Sequence, residues 1–369
     1  MDIRRAVLYT NGRRKGIDSM RITARYSRTP CVLLALLVLF CARAAGGEAF
    51  FGYVDATRVN MRTGPSTSSS VEMRFEGGEL VEILEESDLK PGESHAWFRV
   101  STTGGTEGWV FGKYLARGVL PPRFALAEPE GERVILLHCG ERSRLIEEAL
   151  PRYSTCVMNG VHPIACEGMR EQSPEWNHRE TAMQFERIGG LVFRVEDDPI
   201  SEPLDDIVGD DVLLVDESYM KGAEVIPLTR LKSRKVGDDV KKTFERLYDR
   251  KLKSIVRIAN AGGLSIYAME FRPKGRDALG VVALATPEGV LRLDFPAEWD
   301  EGSTWHVDDG GDFHPDLYSA GSLVRREEDY LFTLHNSAAE SFTSRLVFSG
   351  EGRLVAPAGY ISSRYISPE

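Results

Sequence analysis

Short runs in which apolar and polar residues alternate dominate the chain from about residue 52 onwards. Residues 81–84, 97–100 and 108–110 are typical of strands with one buried and one solvated face. About five such runs, broken by Gly, Pro and Ser, fall before residue 116. We therefore expect a small β-barrel over residues 45–116, closed so that no strand edge is left bare.

The next stretch, residues 117–130, contains Pro121, Pro122 and Pro129 and is interpreted as a linker. Beyond it, residues 133–138 predict a buried strand and residues 141–150 a short helix that Pro151 ends.

A second helix is expected over residues 239–252, because four apolar residues follow a period close to 3.6. They are Val240, Phe244, Leu247 and Leu252. The other face of this helix is basic, with Lys241, Lys242, Arg246 and Arg250, and we interpret it as a solvated face.

Strand patterns return from residue 254 to the end, with turns such as 286–289 and 349–352 between them. The predicted fold class is mainly β: a small barrel, then a larger β-rich domain over residues 131–369 with one or two helices. We expect this larger domain to be a β-sandwich or a barrel-like fold. A break near residues 209–237 would divide it into two subdomains.

The amino terminus has the pattern of a secretory signal peptide. Residues 31–42 are apolar, too few for the roughly 20 residues of a membrane-spanning helix. Arg21, Arg25 and Arg28 precede this run, and a small-x-small exit follows it. Residues 1–44 are the predicted signal peptide, cleaved after Ala44, and Met20 is an alternative start.

We accordingly expect an exported protein, periplasmic or extracellular, without a transmembrane helix after processing. A lipid anchor on Cys41 is the less favoured alternative, because Leu39 and Phe40 stand where lipoprotein processing wants small residues.

The chain is acidic, with 46 Lys and Arg against 56 Asp and Glu and a formal net charge of −10. Without residues 1–44 the balance is 37 against 54, or −17. This charge argues against nucleic acid as a partner, because such binding needs Lys and Arg to neutralise phosphates.

Four ordered motifs lie within the predicted small barrel. They are VNMRTGPS at residues 59–66, GELVEIL at 78–84, WFRV at 97–100 and GWV at 108–110 with a closing Tyr114-Leu115. In this combination residues 52–116 resemble the bacterial SH3-like (SH3b) domain. The resemblance implies a module that binds peptides or cell-wall peptidoglycan. The acidic insert at residues 86–96 is longer than the family pattern.

Five residues of this region are candidates for ligand binding: Asn60, Arg62, Trp97, Trp109 and Tyr114. Asn60 can bond nearby backbone and Arg62 can brace a loop, whereas Trp97, Trp109 or Tyr114 can line a shallow groove. The alternative for both tryptophans is a packing role in a domain too small to leave them unused.

Catalytic and metal-binding signatures are not recognised in the sequence. Cys139 before a predicted helix lacks the flanking residues of a cysteine endopeptidase, and the seven histidines show no zinc spacing. The acidic stretch from Asp308 to Asp316 lacks an EF-hand pattern. We therefore predict no catalytic residue, no metal and no cofactor. Cys156 and Cys166 are candidates for a disulfide, and burial as small apolar residues is the alternative.

The sequence thus favours a non-catalytic cell-envelope protein whose SH3-like module binds peptidoglycan or a peptide partner. One alternative is a cell-wall hydrolase or other enzyme whose catalytic domain the module targets, with Cys139 or the Asp308–Asp316 loop as the place to look. Another is a barrel that only supports the second domain.

Overall fold

A computed structural model describes residues 50–137, 143–200, 211–229, 231, 233–299, 313–338, 340–350 and 352–366. Residues 49–369 form one compact unit. The predicted signal peptide, Cys139 and the stretch from Asp308 to residue 312 lie outside the described residues. The mainly-β prediction is confirmed. In the described ranges, no helix combines the length and the apolar character needed to cross a membrane.

The first seven strands, which we call the N-terminal module, form one antiparallel sheet in the order β3-β2-β6-β5-β4-β1-β7. The predicted closure is not found in this pairing, because β3 and β7 are edge strands. Alternation sends Val59 and Met61 into its core, where they meet Val100 and Val110. Gly108 lets β2 and β6 approach closely, because a Cβ there would lie 2.6 Å from Met61 Cγ. The strands are β1 (Phe51–Val54), β2 (Val59–Arg62), β3 (Val71–Phe75), β4 (Leu80–Glu86), β5 (Trp97–Thr102), β6 (Glu107–Phe111) and β7 (Leu115–Arg117), with a 3-10 turn at Gly112–Tyr114.

The next six strands close into a barrel in the order β10-β11-β12-β9-β8-β13. We call it the second barrel, because it follows the module for which the sequence predicted a first one. Its first strand falls within the predicted linker, a correction to the sequence interpretation. Residues 123–127 pair with β9 on one side and β13 on the other. Pro121 and Pro122 lie just before the strand, so their lack of a backbone N–H does not interrupt its hydrogen bonding. The strands are β8 (Arg123–Ala127), β9 (Arg133–Leu136), β10 (Thr155–Val157), β11 (Val161–Arg170), β12 (Gly190–Val195) and β13 (Asp211–Val215).

Short helical turns accompany this barrel. The helix predicted at residues 141–150 is reduced, within the described residues, to a π-helical turn at Leu145–Ala149 and a 3-10 turn at Leu150–Arg152. A further 3-10 turn covers Ala182–Arg187, and helix α1 (Glu217–Met220) follows β13.

The remaining residues form two sheets that share one core. The first has the order β14-β19-β20-β21-β22, with β23 also pairing β21, and the second has the order β15-β16-β17-β18. Ile266 and Leu284 from the second sheet meet Phe332 and Leu334 from the first. The change from barrel to sheets lies between β13 and β14, within the stretch where the sequence suggested a break.

The first of these sheets consists of β14 (Ala223–Val225), β19 (Tyr318–Arg326), β20 (Asp329–Ser337), β21 (Ser341–Gly350), β22 (Arg353–Val355) and β23 (Ile361–Tyr365). The second consists of β15 (Leu252–Ala261), β16 (Leu264–Lys274), β17 (Asp277–Thr286) and β18 (Gly289–Glu298). Two 3-10 turns cover Pro315–Leu317 and Ala358–Tyr360.

Helix α2 (Asp238–Tyr248) packs on the outer side of the second sheet. Its Phe244 is buried against Tyr267 and Met269 of β16. The helix ends earlier than predicted because Asp249 adopts a left-handed conformation at φ 48°. Leu252, assigned to the helix from its spacing, begins β15 instead.

The N-terminal module is not a freely tethered domain. Phe51 and Leu80 lie in the same core as Leu145 and Ile146 of the second barrel, together with Leu120 between the two. On another side, Gly78 (φ 80°) lies against Tyr360, whose ring carbons would be 2.8 Å from an added Cβ. Two surfaces of the module are therefore buried against the rest of the chain.

Candidate functional site

The candidate binding residues of the N-terminal module gather on one side of its sheet. Because strand residues alternate between faces, β6 turns Val110 into the core and Trp109 outward, and β5 does the same with Phe98 and Trp97. The register places Arg62 and Arg99 on either side of Trp109. We call the side chains that point outward from β2, β5 and β6, with Tyr114 beside them, the outer face.

An aromatic cluster forms one half of the outer face. The Phe111 ring lies at its centre, with centroid distances of 5.3 Å to Trp97, 6.2 Å to Tyr114 and 5.7 Å to His95. Lys113 Nζ lies 5.8 Å from the centre of the Tyr114 ring. Tyr114 is 37% exposed, whereas Trp97 is only 2% exposed. Trp97 therefore supports the cluster from below, and Tyr114 and Phe111 present it to solvent.

Trp97 also carries a polar group that packing alone does not explain. Its indole Nε1 is buried and, within the part of the chain that the structure describes, has no hydrogen-bond acceptor. A buried N–H without a partner costs free energy. The packing interpretation of Trp97 thus accounts for its burial and leaves its indole N–H unpaired among the described residues.

Polar and charged residues form the other half of the outer face. Arg62 Nη1 donates to the carbonyl of Ser69 at 2.6 Å and so braces the loop after β2. Asn60 Oδ1 accepts a bond from Arg74 Nε at 3.1 Å, a side-chain partner rather than the backbone partner expected from the sequence. Arg99 lies 3.0 Å from both Glu85 and Glu107. These bonds fix the loops and strands around Trp109.

The acidic insert at residues 86–96 borders the outer face. The backbone N–H of Trp97 donates to Ser87 Oγ at 3.0 Å, which closes the base of the insert. Lys90 Nζ reaches the carbonyl of Pro65 at 2.6 Å, in the turn of the first motif. The insert thus contributes His95 to the aromatic cluster.

Sequence reasoning missed Phe111, His95 and Arg99 as members of this face. The signal for Phe111 was present, since a strand that turns Trp109 outward turns the residue two positions later outward as well. The predicted strand ends at Val110, whereas the observed strand continues to Phe111. No local pattern signals His95, which reaches the cluster through the fold of the insert.

The two candidate disulfide residues are free thiols. In the β10–β11 hairpin Cys156 is paired with His162, so Cys166 lies four positions further along β11. Four positions along a strand span about 13 Å, beyond the roughly 7 Å between Cα atoms that a disulfide allows. The predicted bond is therefore not formed. Burial raises the pKa of the Cys156 thiol to about 12, which keeps it protonated.

A second group of chemically capable residues lies where the second barrel meets β20, β21 and β23. Its members, which we call the buried junction, are Asp211, Thr333, His335, Ser344 and Arg364. His335 Nδ1 lies 2.7 Å from Ser344 Oγ. The Ser344 hydroxyl donates to the Asp211 carboxylate. Arg364 Nε lies 2.7 Å from Asp211, and Arg364 Nη1 donates to the carbonyl of Glu180.

The hydrogen-bond order of the buried junction does not match a catalytic triad. Because the Ser344 hydroxyl donates to Asp211, Ser344 accepts from His335 Nδ1–H, and His335 Nε2 accepts from Thr333 Oγ1 at 3.1 Å. A base for Ser344 would need the opposite direction. His335 and Ser344 are also fully buried. A small cavity of about 220 Å³ is lined by Asp211 and Arg364 but not by His335 or Ser344. The junction joins barrel and sheets.

Within the described ranges, no group of three or more His, Cys, Asp or Glu residues is placed to hold a metal ion. Asp316, at the end of the acidic stretch noted in the sequence, is among the described residues. Its backbone carbonyl accepts a hydrogen bond from Arg234 Nη1 at 2.7 Å.

Comparison with known proteins identifies one part of the chain. Residues 57–116 match the family model of the bacterial SH3 domain, which confirms the resemblance drawn from the motifs. Bacterial SH3 domains are a family of peptidoglycan- and cell-wall-binding modules that occur in cell-envelope or extracellular proteins. No curated protein and no solved structure gave a significant match to this chain.

Proposed function

We propose that this protein is an exported, non-catalytic cell-envelope protein that binds peptidoglycan or a peptide through the outer face of its SH3 module. The observation that carries the proposal is the difference in access between the module's surfaces. Phe51 and Leu80 are buried against the second barrel, and Gly78 is covered by Tyr360. The outer face keeps Tyr114 exposed and Phe111 partly exposed to solvent.

The chemistry of the outer face suits a glycan strand or a short peptide. Aromatic rings offer apolar faces to sugars or side chains, and a few placed polar groups fix orientation. Tyr114 and Phe111 supply the rings, and Lys113 and Arg99 supply the polar groups. Because the contact area is small, modest affinity is expected.

The second barrel and the two sheets would then hold the module in place. The shared core through Leu120 fixes its orientation, so the outer face is presented at one angle to the wall. For the same reason the module is best tested within residues 49–369, because a cut near Pro122 would expose Phe51 and Leu80.

The experiment is co-sedimentation of residues 49–369 with purified cell-wall sacculi. Tyr114→Ala is expected to weaken binding about fivefold or more, as removal of an exposed aromatic contact does. Tyr365→Ala is the matched control, since Tyr365 is also a half-exposed tyrosine but lies on β23. Equal binding by the two variants would contradict the proposal.

The same samples separate binding from catalysis. A non-catalytic protein leaves the turbidity of the sacculi unchanged over hours and releases no soluble fragments. Steady release of fragments by the purified chain would instead favour the hydrolase alternative.

A further inference from the structure

Positive charge is concentrated in one stretch of an otherwise acidic chain. Residues 230–276 contain fourteen Lys and Arg against five Asp and Glu, although the whole chain has a net charge of −10. The described part of this stretch includes α2, β15 and β16. The basic face of α2 was interpreted above as merely solvated, but the fold adds cations to it from other elements.

Four segments meet at one end of the second sheet. The last turn of α2 leads directly into β15, whose first residue Leu252 pairs with Phe271 near the end of β16. The β16–β17 turn follows, and the end of β18 pairs with the start of β17. We call the cations gathered there the basic tip: Lys242, Arg246, Arg250, Lys251, Arg272, Lys274 and Arg276.

A groove of about 830 Å³ lies between α2 and β16 within the basic tip. Lys242, Arg246 and Arg272 line it and, among the described residues, have no carboxylate within ion-pair distance. Other cations of the tip are paired, as in Lys274–Asp249 at 3.0 Å and Arg276–Glu298 at 3.1 Å. These pairs are exposed and therefore weak, so an anionic partner can exchange with their carboxylates.

One large apolar side chain stands exposed beside these cations. Trp299, just after β18, is 40% exposed. Trp299 is held at the tip because its backbone N–H donates to the carbonyl of Arg276 at 2.6 Å. Cations next to an exposed Trp are the composition of surfaces that lie in a membrane interface.

We propose that the basic tip binds the surface of a bilayer that contains anionic phospholipid. Headgroup phosphates pair with Arg272, Lys242 and Arg246, and Trp299 enters the boundary between headgroups and acyl chains. A soluble polyanion would match the charge but would leave Trp299 in water. The acidic remainder of the chain is repelled by the same surface, which orients the protein with its tip toward the lipid.

The test is flotation of residues 49–369 with vesicles of phosphatidylglycerol and phosphatidylcholine, and with phosphatidylcholine alone. Residues 1–48 are left out because the apolar run at 31–42 would itself insert, and the compact unit begins at residue 49. Binding is expected only to the anionic vesicles and is expected to fall as salt is raised. Each basic residue near such a surface contributes roughly fivefold to affinity, so Arg272→Glu/Lys274→Glu is expected to weaken binding at least tenfold.

The control is Arg187→Glu/Lys221→Glu, which changes the net charge equally at exposed positions on the second barrel and after α1. This variant is expected to bind as the unmodified chain does. A second readout is tryptophan emission, whose blue shift with anionic vesicles is expected to diminish in Trp299→Phe. Absence of flotation with anionic vesicles, equal losses in both charge variants, or binding to polyphosphate without binding to vesicles would each overturn the proposal.

Discussion

The outer face of the SH3 module and the buried junction contain similar residues and differ in access to solvent. Each has an arginine paired with a carboxylate, a histidine and several aromatic rings. The Arg99 side chain of the outer face is 39% exposed, whereas Arg364 and Asp211 of the junction are 4% and 2% exposed. Residue type alone would have favoured the junction as the reactive site. Access favours a structural role for the junction and leaves the outer face open to solvent, where we propose that a ligand binds.

The sharpest way to test this comparison is to remove one partner of the buried ion pair. Asp211→Ala leaves the Arg364 charge buried and takes away the acceptor of Ser344. We expect the free energy of unfolding to fall by about 3–5 kcal/mol, the usual cost of an uncompensated buried charge. Urea unfolding of the variant and the unmodified chain measures it. A loss below 1 kcal/mol would show that the junction does not hold barrel and sheets together.

Acid should act on the junction next most strongly. Burial lowers the pKa of His335 from 6.5 to about 4, with Asp211 opposing and Arg364 adding to the shift. Between these values the unfolded chain binds a proton that the folded chain does not, so stability is present above pH 6.5 and is lost as the pH falls toward 4. The expected loss is about 3 kcal/mol, at 1.36 kcal/mol per pKa unit.

The matched variant for the acid effect is His335→Gln, which keeps a polar side chain but does not titrate. Urea unfolding at pH 7.0 and at pH 4.5 is expected to show a smaller pH-dependent loss for this variant than for the unmodified chain. Equal losses would assign the acid sensitivity to other groups.

The exposed ion pairs of the outer face should contribute least. Arg99→Ala removes the bonds to Glu85 and Glu107, yet the expected loss of stability is below about 1 kcal/mol because exposed pairs are screened by water. Thermal unfolding measures it. A loss as large as that of Asp211→Ala would remove the contrast between the two regions.

The SH3 module was accessible to sequence reasoning because its information is local. The four motifs stood in their usual order, and the strands alternate as predicted, with Met61, Val100 and Val110 inside. Asn60, Arg62 and Trp109 were candidates from the motifs, whereas Phe111 was missed because the predicted strand ended at Val110. His95 did not, because the path of an eleven-residue insert is fixed by contacts such as Lys90 with Pro65 rather than by periodicity.

The second barrel was less accessible. Residues 123–127 had a strand-like pattern, but the neighbouring prolines favoured a linker, and only pairing with β9 and β13 makes the segment a strand. The Cys156–Cys166 bond was suggested by nearness in sequence, and the hairpin register separated the two thiols.

By itself, then, the sequence determined the mainly-β composition, the SH3 module and the face on which each strand residue lies, because propensity and alternation act over a few neighbouring residues. Only the tertiary structure decided which of those faces are covered. Asp211 and Ser344 are 133 positions apart, and Arg276 and Trp299 meet at one end of a sheet from different segments of the chain. Such pairings depend on the register of distant strands, which no local pattern specifies.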